Sequence, residues 1–111
     1  MPAAHLPSPP ARMLVYADEF FLNGSRRAGP SGLWRLQFRN NGEDDHDLRI
    51  RRAGGGIVGW SRIVRPAGLQ TIQVRLKPGR YTLFCSISDH EARGMSWSLI
   101  IRAPKVRTTT P

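Results

Sequence analysis

Residues 77–102 read KPGRYTLFCSISDHEARGMSWSLIIR, and this stretch decides the fold. Pro78-Gly79 is a turn signal, and Arg80–Cys85 follows it as a strand on which Tyr81, Leu83 and Cys85 share one face. Ser96–Arg102 forms the next strand, with Trp97, Leu99 and Ile101 on the same parity as Met95. The loop between these strands carries the chemistry. It spaces Cys85, His90 and Met95 at five-residue intervals, starting where the first strand ends.

The same period of two extends upstream. Trp34, Leu36 and Phe38 alternate with Arg35, Gln37 and Arg39. His46, Leu48 and Ile50 alternate with Asp47, Arg49 and Arg51, and Ile72, Val74 and Leu76 with Gln73, Arg75 and Lys77. Each run predicts a strand with one wet face. A further strand is expected over Met13–Leu22, and His46 is expected to open its own strand. Turn signals separate the runs at Asn23-Gly24, Asn41-Gly42, Gly54-Gly55-Gly56, Pro66-Ala67-Gly68 and Pro78-Gly79. No stretch carries a helical stripe. The pattern predicts an all-β chain folded as a two-sheet antiparallel sandwich.

At 111 residues there is room for one domain. Residues 1–12, MPAAHLPSPPAR, read as a flexible proline-rich leader that contains His5, and 104–111 as a disordered tail, leaving 13–103 as the folded domain. The start carries no charged-then-apolar signal sequence, and no apolar run approaches the ~18 residues of a membrane span. Trp34 is expected in the core. Trp60 fits either an exposed docking aromatic or a lid over a loop.

The single cysteine excludes an internal disulfide and every all-cysteine metal site. Lysine and arginine outnumber acids by 17 to 8, a net charge of +9 that admits acidic partners. The arginines are spread along the strands, as on a solvated sheet face, and they lack the concentrated run or interleaved aromatics of a nucleic-acid footprint. Six of the eight acids (Glu43, Asp44, Asp45, Asp47, Asp89 and Glu91) cluster around His46 and His90.

One thiol, two imidazoles and a thioether are the ligand types of a mononuclear electron-transfer copper site. Soft sulfur favours Cu(I) and imidazole accepts Cu(II), so a rigid site shared by both states reorganises little. No Ser/His/Asp arrangement, phosphate-binding glycine loop or Glu-bearing zinc motif accompanies them, and the chain reads as a non-enzyme.

The run KPGRYTLFCSISDHEARGMSWSLIIR resembles the metal-binding end of the cupredoxins, the small blue type 1 copper proteins. FRNNGEDDHDLRI is similar to the family's strand and loop carrying the first histidine. RPAGLQTIQVRLKPGRY resembles the strands leading to the cysteine, and MLVYADEFFL the opening strand. The resemblance covers residues 13–102. It implies a Greek-key β-sandwich of about seven or eight strands with one copper per chain at one pole. His46 and His90 would then bind through imidazole nitrogen, Cys85 as thiolate and Met95 as the long axial ligand, with Gly94 letting the loop approach the ligands closely. Many relatives have asparagine after the first histidine. Here it is Asp47, and the Ser86 hydroxyl is expected to donate to its carboxylate.

The function implied is a one-electron carrier between redox proteins, docking transiently near His90 beside Ile87 and Gly94. Partners would be basic or neutral at this acidic pole. The resemblance also implies a periplasmic or other extracytoplasmic location; a monomer, with a native membrane anchor possible, is expected, and the arginine spacing gives no nucleic-acid role. Copper storage, delivery or sensing is the alternative, and a metal-free sandwich binding acidic partners through its arginines is a third reading.

Overall fold

Along β1 (Ala11–Asp18) the alternation in sequence becomes alternation in burial: Met13, Val15 and Ala17 are buried, while Arg12 and Leu14 face solvent. The computed structural model describes residues 9–104 of the chain. Eight further strands follow: β2 (Phe21–Gly24), β3 (Ala28–Pro30), β4 (Gly32–Asn40), β5 (Arg49–Arg52), β6 (Ile57–Trp60), β7 (Leu69–Leu76), β8 (Gly79–Phe84) and β9 (Ser96–Arg102). The described residues contain no helix.

Two sheets result, ordered β2-β1-β4-β7 and β3-β9-β8-β5-β6. Trp34, Leu36 and Phe38 of β4 and Ile72, Val74 and Leu76 of β7 face inward from the first sheet. Tyr81 and Leu83 of β8, Leu99 and Ile101 of β9 and Ile50 of β5 meet them from the second. Trp34 is fully buried, and its indole N–H donates to the Pro30 carbonyl at 2.7 Å. Truncating a core aromatic of this kind to alanine costs about 3–5 kcal/mol.

The two-sheet sandwich is the expected architecture, with two differences in detail. Each sheet contains one parallel pair, β1 with β4 and β3 with β9. The cause is a crossover: after the β1–β2 hairpin the chain passes to the second sheet as β3, then returns as β4 on the other side of β1. The strand count is nine because β2, β3 and β6 are too short for alternation to mark them.

Two expected boundaries move. The run Met13–Leu22 divides into β1 and β2, since Asp18 caps the Glu19 N–H at 2.9 Å and turns the chain. Regular pairing after the β4 loop begins at Arg49, whereas His46 makes an isolated bridge with Val64. β1 also starts two residues inside the expected leader. The rest of that leader up to residue 8, with His5, and the tail from residue 105 lie outside the described residues.

Because β1 and β4 run parallel, their C-terminal ends lie together, with Ala17 beside Asn40. The antiparallel strand β7 begins there too, with Leu69 beside Arg39. The bridge from Val64 to His46 and the contacts of His46 with Cys85 bring the end of β8 to the same pole. Four connections therefore converge over one end of the core.

Candidate metal centre

Cys85 follows the last residue of β8 and keeps that strand's inward parity, which leaves its side chain fully buried at the pole. His46 Nδ1 lies 3.9 Å from Cys85 Sγ, and His90 Nδ1 lies 3.5 Å from it. The three candidate ligand atoms all fall within 4.8 Å of one another. The imidazole centroids lie 5.0 Å apart, with the ring planes inclined at 59°.

These spacings suit a metal ion. With bonds of ~2.1 Å to nitrogen and ~2.3 Å to sulfur, a trigonal arrangement separates S from N by about 3.8 Å. Two imidazoles and a thiolate form a donor set suited to copper. Burial pushes the Cys85 thiol above its usual pKa, because the anion has been taken out of water. The Asp47 N–H, 3.5 Å from Sγ, works in the opposite direction. A cation in the cluster would supply the larger compensation.

The loop that carries His90 is tied back on itself. The His90 carbonyl accepts the Met95 N–H at 3.1 Å, and the Met95 carbonyl accepts the Cys85 N–H at 3.2 Å. Met95 is fully buried and is held against both residues by its backbone. Gly94 has φ +122°, and a Cβ there would lie 3.1 Å from the Phe20 carbonyl. The backbone conformation and the neighbouring β1–β2 turn both call for glycine here.

His46 is fully buried in a loop whose conformation depends on Asn40. The Asn40 Nδ2 donates to the carbonyls of Asp44 (2.7 Å) and Val64 (2.9 Å), while its Oδ1 accepts the Gly42 N–H at 2.8 Å. Backbone bonds between His46 and Val64, at 3.1 and 2.8 Å, complete the clamp. Asp47 Oδ1 accepts the Ser86 N–H at 2.6 Å, and the Ser86 hydroxyl donates to Oδ2. Arg49 adds a contact to each, 2.9 Å to Ser86 Oγ and 3.5 Å to Asp47 Oδ2.

Three contributors were not legible in the sequence. Glu19 Oε1 stands 3.0 Å from His46 Nε2 and also accepts the N–H groups of Glu43 (2.8 Å) and Asp44 (2.6 Å). Those donors, Asp44 foremost and offset by some desolvation, lower the Glu19 pKa to about 2. Phe20 packs its ring 4.9 Å from that of His90, and Arg93 lies over the outer face of Phe20 at 4.7 Å. Asn40 is the third. Glu19 and Phe20 looked like the interior of a strand, and only the turn at Asp18 sends their side chains to opposite histidines.

His90 is 7% exposed and His46 0%, so His90 is the more accessible of the two. Glu43, Asp44 and Asp45 are exposed in the loop that leads into His46, where Glu43 and Asp44 bond to Glu19. The acids flanking His90 are partnered, Asp89 with Arg93 and Glu91 with Arg51, each at 2.8 Å. Trp60, on the edge strand β6, is 61% exposed and lids nothing.

No protein-family model matches the sequence, and no curated protein matches it. Solved structures do. The chain is similar to a dithionite-reduced auracyanin from Roseiflexus castenholzii, with TM-score 0.67 and 17% identity over 86% of this chain and 98% of that one. It is similar to auracyanin A of Chloroflexus aurantiacus, a "blue" copper protein, with TM-score 0.65 and 12% identity over 85% of this chain and 100% of that one. An azurin from Methylomonas sp. strain J gives TM-score 0.67 and 12% identity over 83% of this chain and 98% of that one. All three are cupredoxins, and this chain has their fold.

Proposed function

We propose that this chain, a β-sandwich of cupredoxin fold, is a mononuclear type 1 copper protein that carries single electrons between redox partners. The observation that carries the reading is the buried convergence of His46 Nδ1, Cys85 Sγ and His90 Nδ1 at one pole. Copper bound there would supply the one-electron chemistry by alternating between Cu(II) and Cu(I).

The residues perform the remaining tasks. His46 and His90 would hold the copper through imidazole nitrogen, Cys85 would bind as thiolate after losing its proton, and Met95 would offer its thioether as the fourth, weaker donor. The clamps at Asn40, Asp47 and Ser86 belong to the sandwich itself, so the donors hold one arrangement in both charge states. Phe20 covers His90 and keeps bulk water off the cluster. With four protein donors engaged, a bound copper would have no position open for a substrate, which favours a carrier over an enzyme.

Electron exchange is assigned to the His90 edge, the most accessible point of the cluster. A docking patch of this kind is small and transient. Glu43, Asp44 and Asp45 favour a partner with a basic surface at this pole, despite the positive total charge. Among the described residues no helix is long and apolar enough to cross a membrane, and we place the protein outside the cytoplasm by analogy with its structural neighbours.

The test is a redox titration of the copper-loaded protein with a cationic redox protein as partner. The reading expects reversible n = 1 cycling and a second-order rate that falls as salt rises. Copper that binds but does not cycle reversibly would move the assignment to storage or delivery.

A further inference from the structure

A neutral imidazole carries one proton on one of its two nitrogens, and a carboxylate can only accept. His46 presents Nδ1 to Cys85 and Nε2 to Glu19 Oε1 at 3.0 Å, with the ring fully buried. A proton on Nδ1 would leave Nε2 facing an anion lone pair to lone pair. A ring flip would set C–H groups against the same oxygen. The first arrangement leaves the buried Nε2 without a partner, and the second gives up the His46–Glu19 hydrogen bond. The proton therefore belongs on Nε2, which frees the Nδ1 lone pair.

Glu19 is itself held in place. Two backbone amides, Glu43 and Asp44, donate to the oxygen that faces His46. A Cβ at Gly42 would collide with the Glu19 carboxylate, so glycine there makes the room it occupies. Asn40 fixes Gly42 by accepting its N–H. The chain of support runs from the core residue Asn40 through Gly42 to Glu19, and from Glu19 to the imidazole.

We propose that Glu19 is the positioning residue of the centre: its carboxylate selects the Nε2–H tautomer of His46 and keeps Nδ1 aimed at Cys85 and His90 before any metal arrives. The inference rests on the reading of His46 as a metal ligand. It adds a full negative charge behind that ligand, making the nitrogen a better donor.

The tautomer is read in the reduced, metal-free protein by long-range proton–nitrogen correlation spectroscopy. Wild type should show His46 as Nε2–H alone. Glu19→Ala should show a mixture of tautomers and a Cu(I) affinity, measured against a chromophoric chelator, lower by about 10–100-fold. Glu19→Gln keeps an acceptor oxygen without the charge, so it should retain the Nε2–H tautomer with an affinity between the two. A purely structural Glu19 would lower the unfolding midpoint of both variants and leave the tautomer unchanged. Pure Nε2–H in Glu19→Ala with wild-type affinity would overturn the proposal, as would Nδ1–H in the wild type. If Glu19→Ala fails to fold, Glu19→Gln decides through its affinity: a Cu(I) affinity below wild type supports the proposal, and an affinity equal to wild type counts against it. If wild type shows the tautomer but takes up no Cu(I), the copper assignment fails and the Glu19 interaction stands.

Discussion

Asp47 and Ser86, 39 residues apart, are joined twice: the Asp47 carboxylate accepts both the N–H of Ser86 (2.6 Å) and its hydroxyl. The pair binds the strand entry after His46 to the residue that follows Cys85, so two donors of the cluster are fixed by one side chain. Asparagine would make one of these bonds equally well, but it would carry no charge. The charge favours Cu(II), and Arg49 at 3.5 Å offsets part of it. Asp47→Asn is therefore expected to raise the reduction potential by tens of millivolts, on the order of one screened unit charge several ångströms away. A redox titration that finds the potential unchanged or lower would contradict this.

Asn40 supports the opposite side of the cluster, and its three hydrogen bonds leave no slack. Asn40→Ala should destabilise the protein by about 2–4 kcal/mol, because the Asp44 carbonyl, the Val64 carbonyl and the Gly42 amide each lose a hydrogen bond at a largely buried site. Asn40→Asp should be no better, since it sets an anion against those carbonyls. Urea unfolding of both variants checks the order, and Asn40→Ala should also weaken copper binding through the His46 loop.

The Glu19 carboxyl, lowered to about 2 chiefly by the Asp44 amide, gives a sign for acid stability. A depressed folded-state pKa stabilises above the unfolded value of 4.5, and that contribution is lost as pH falls from there toward about 2. Glu19→Gln removes the titrating carboxyl and keeps an acceptor oxygen, so it serves as the reference. The stability gap between wild type and Glu19→Gln should be full at neutral pH and narrow below pH 4.5 in metal-free samples unfolded by urea. A gap that widens on acidification would refute the assignment.

Burial keeps Cys85 protonated in the metal-free protein, since its pKa is raised by desolvation. Its reaction with a thiol reagent at neutral pH should be slow and should accelerate sharply in denaturant. Copper binding should release the thiol proton, so measured affinity should increase with pH across the neutral range. Fast labelling of the folded protein would contradict this.

Legibility in the sequence followed the reach of each signal. Strands β4, β7, β8 and β9 bury alternate residues along their length, and period two reveals them. β2, β3 and β6 are four residues or fewer, and their existence depends on partners distant in sequence. The cysteine-to-methionine loop was readable because its groups are rare and regularly spaced. Glu19 and Phe20 were not, because nothing local distinguishes them from a strand interior until Asp18 caps the turn. Asn40 carried no signal of its own between the run Leu33–Arg39 and the Asn41-Gly42 turn, and its side chain serves three backbone groups that only the folded loop brings together.

The central claim is that His46, Cys85 and His90 hold copper. The most direct test adds one equivalent of Cu(II) to the reduced, metal-free protein and records the visible spectrum. An intense blue thiolate-to-copper band, bleached by ascorbate and absent in Cys85→Ser, is the predicted result. A colourless protein with Cys85 still reduced would contradict it.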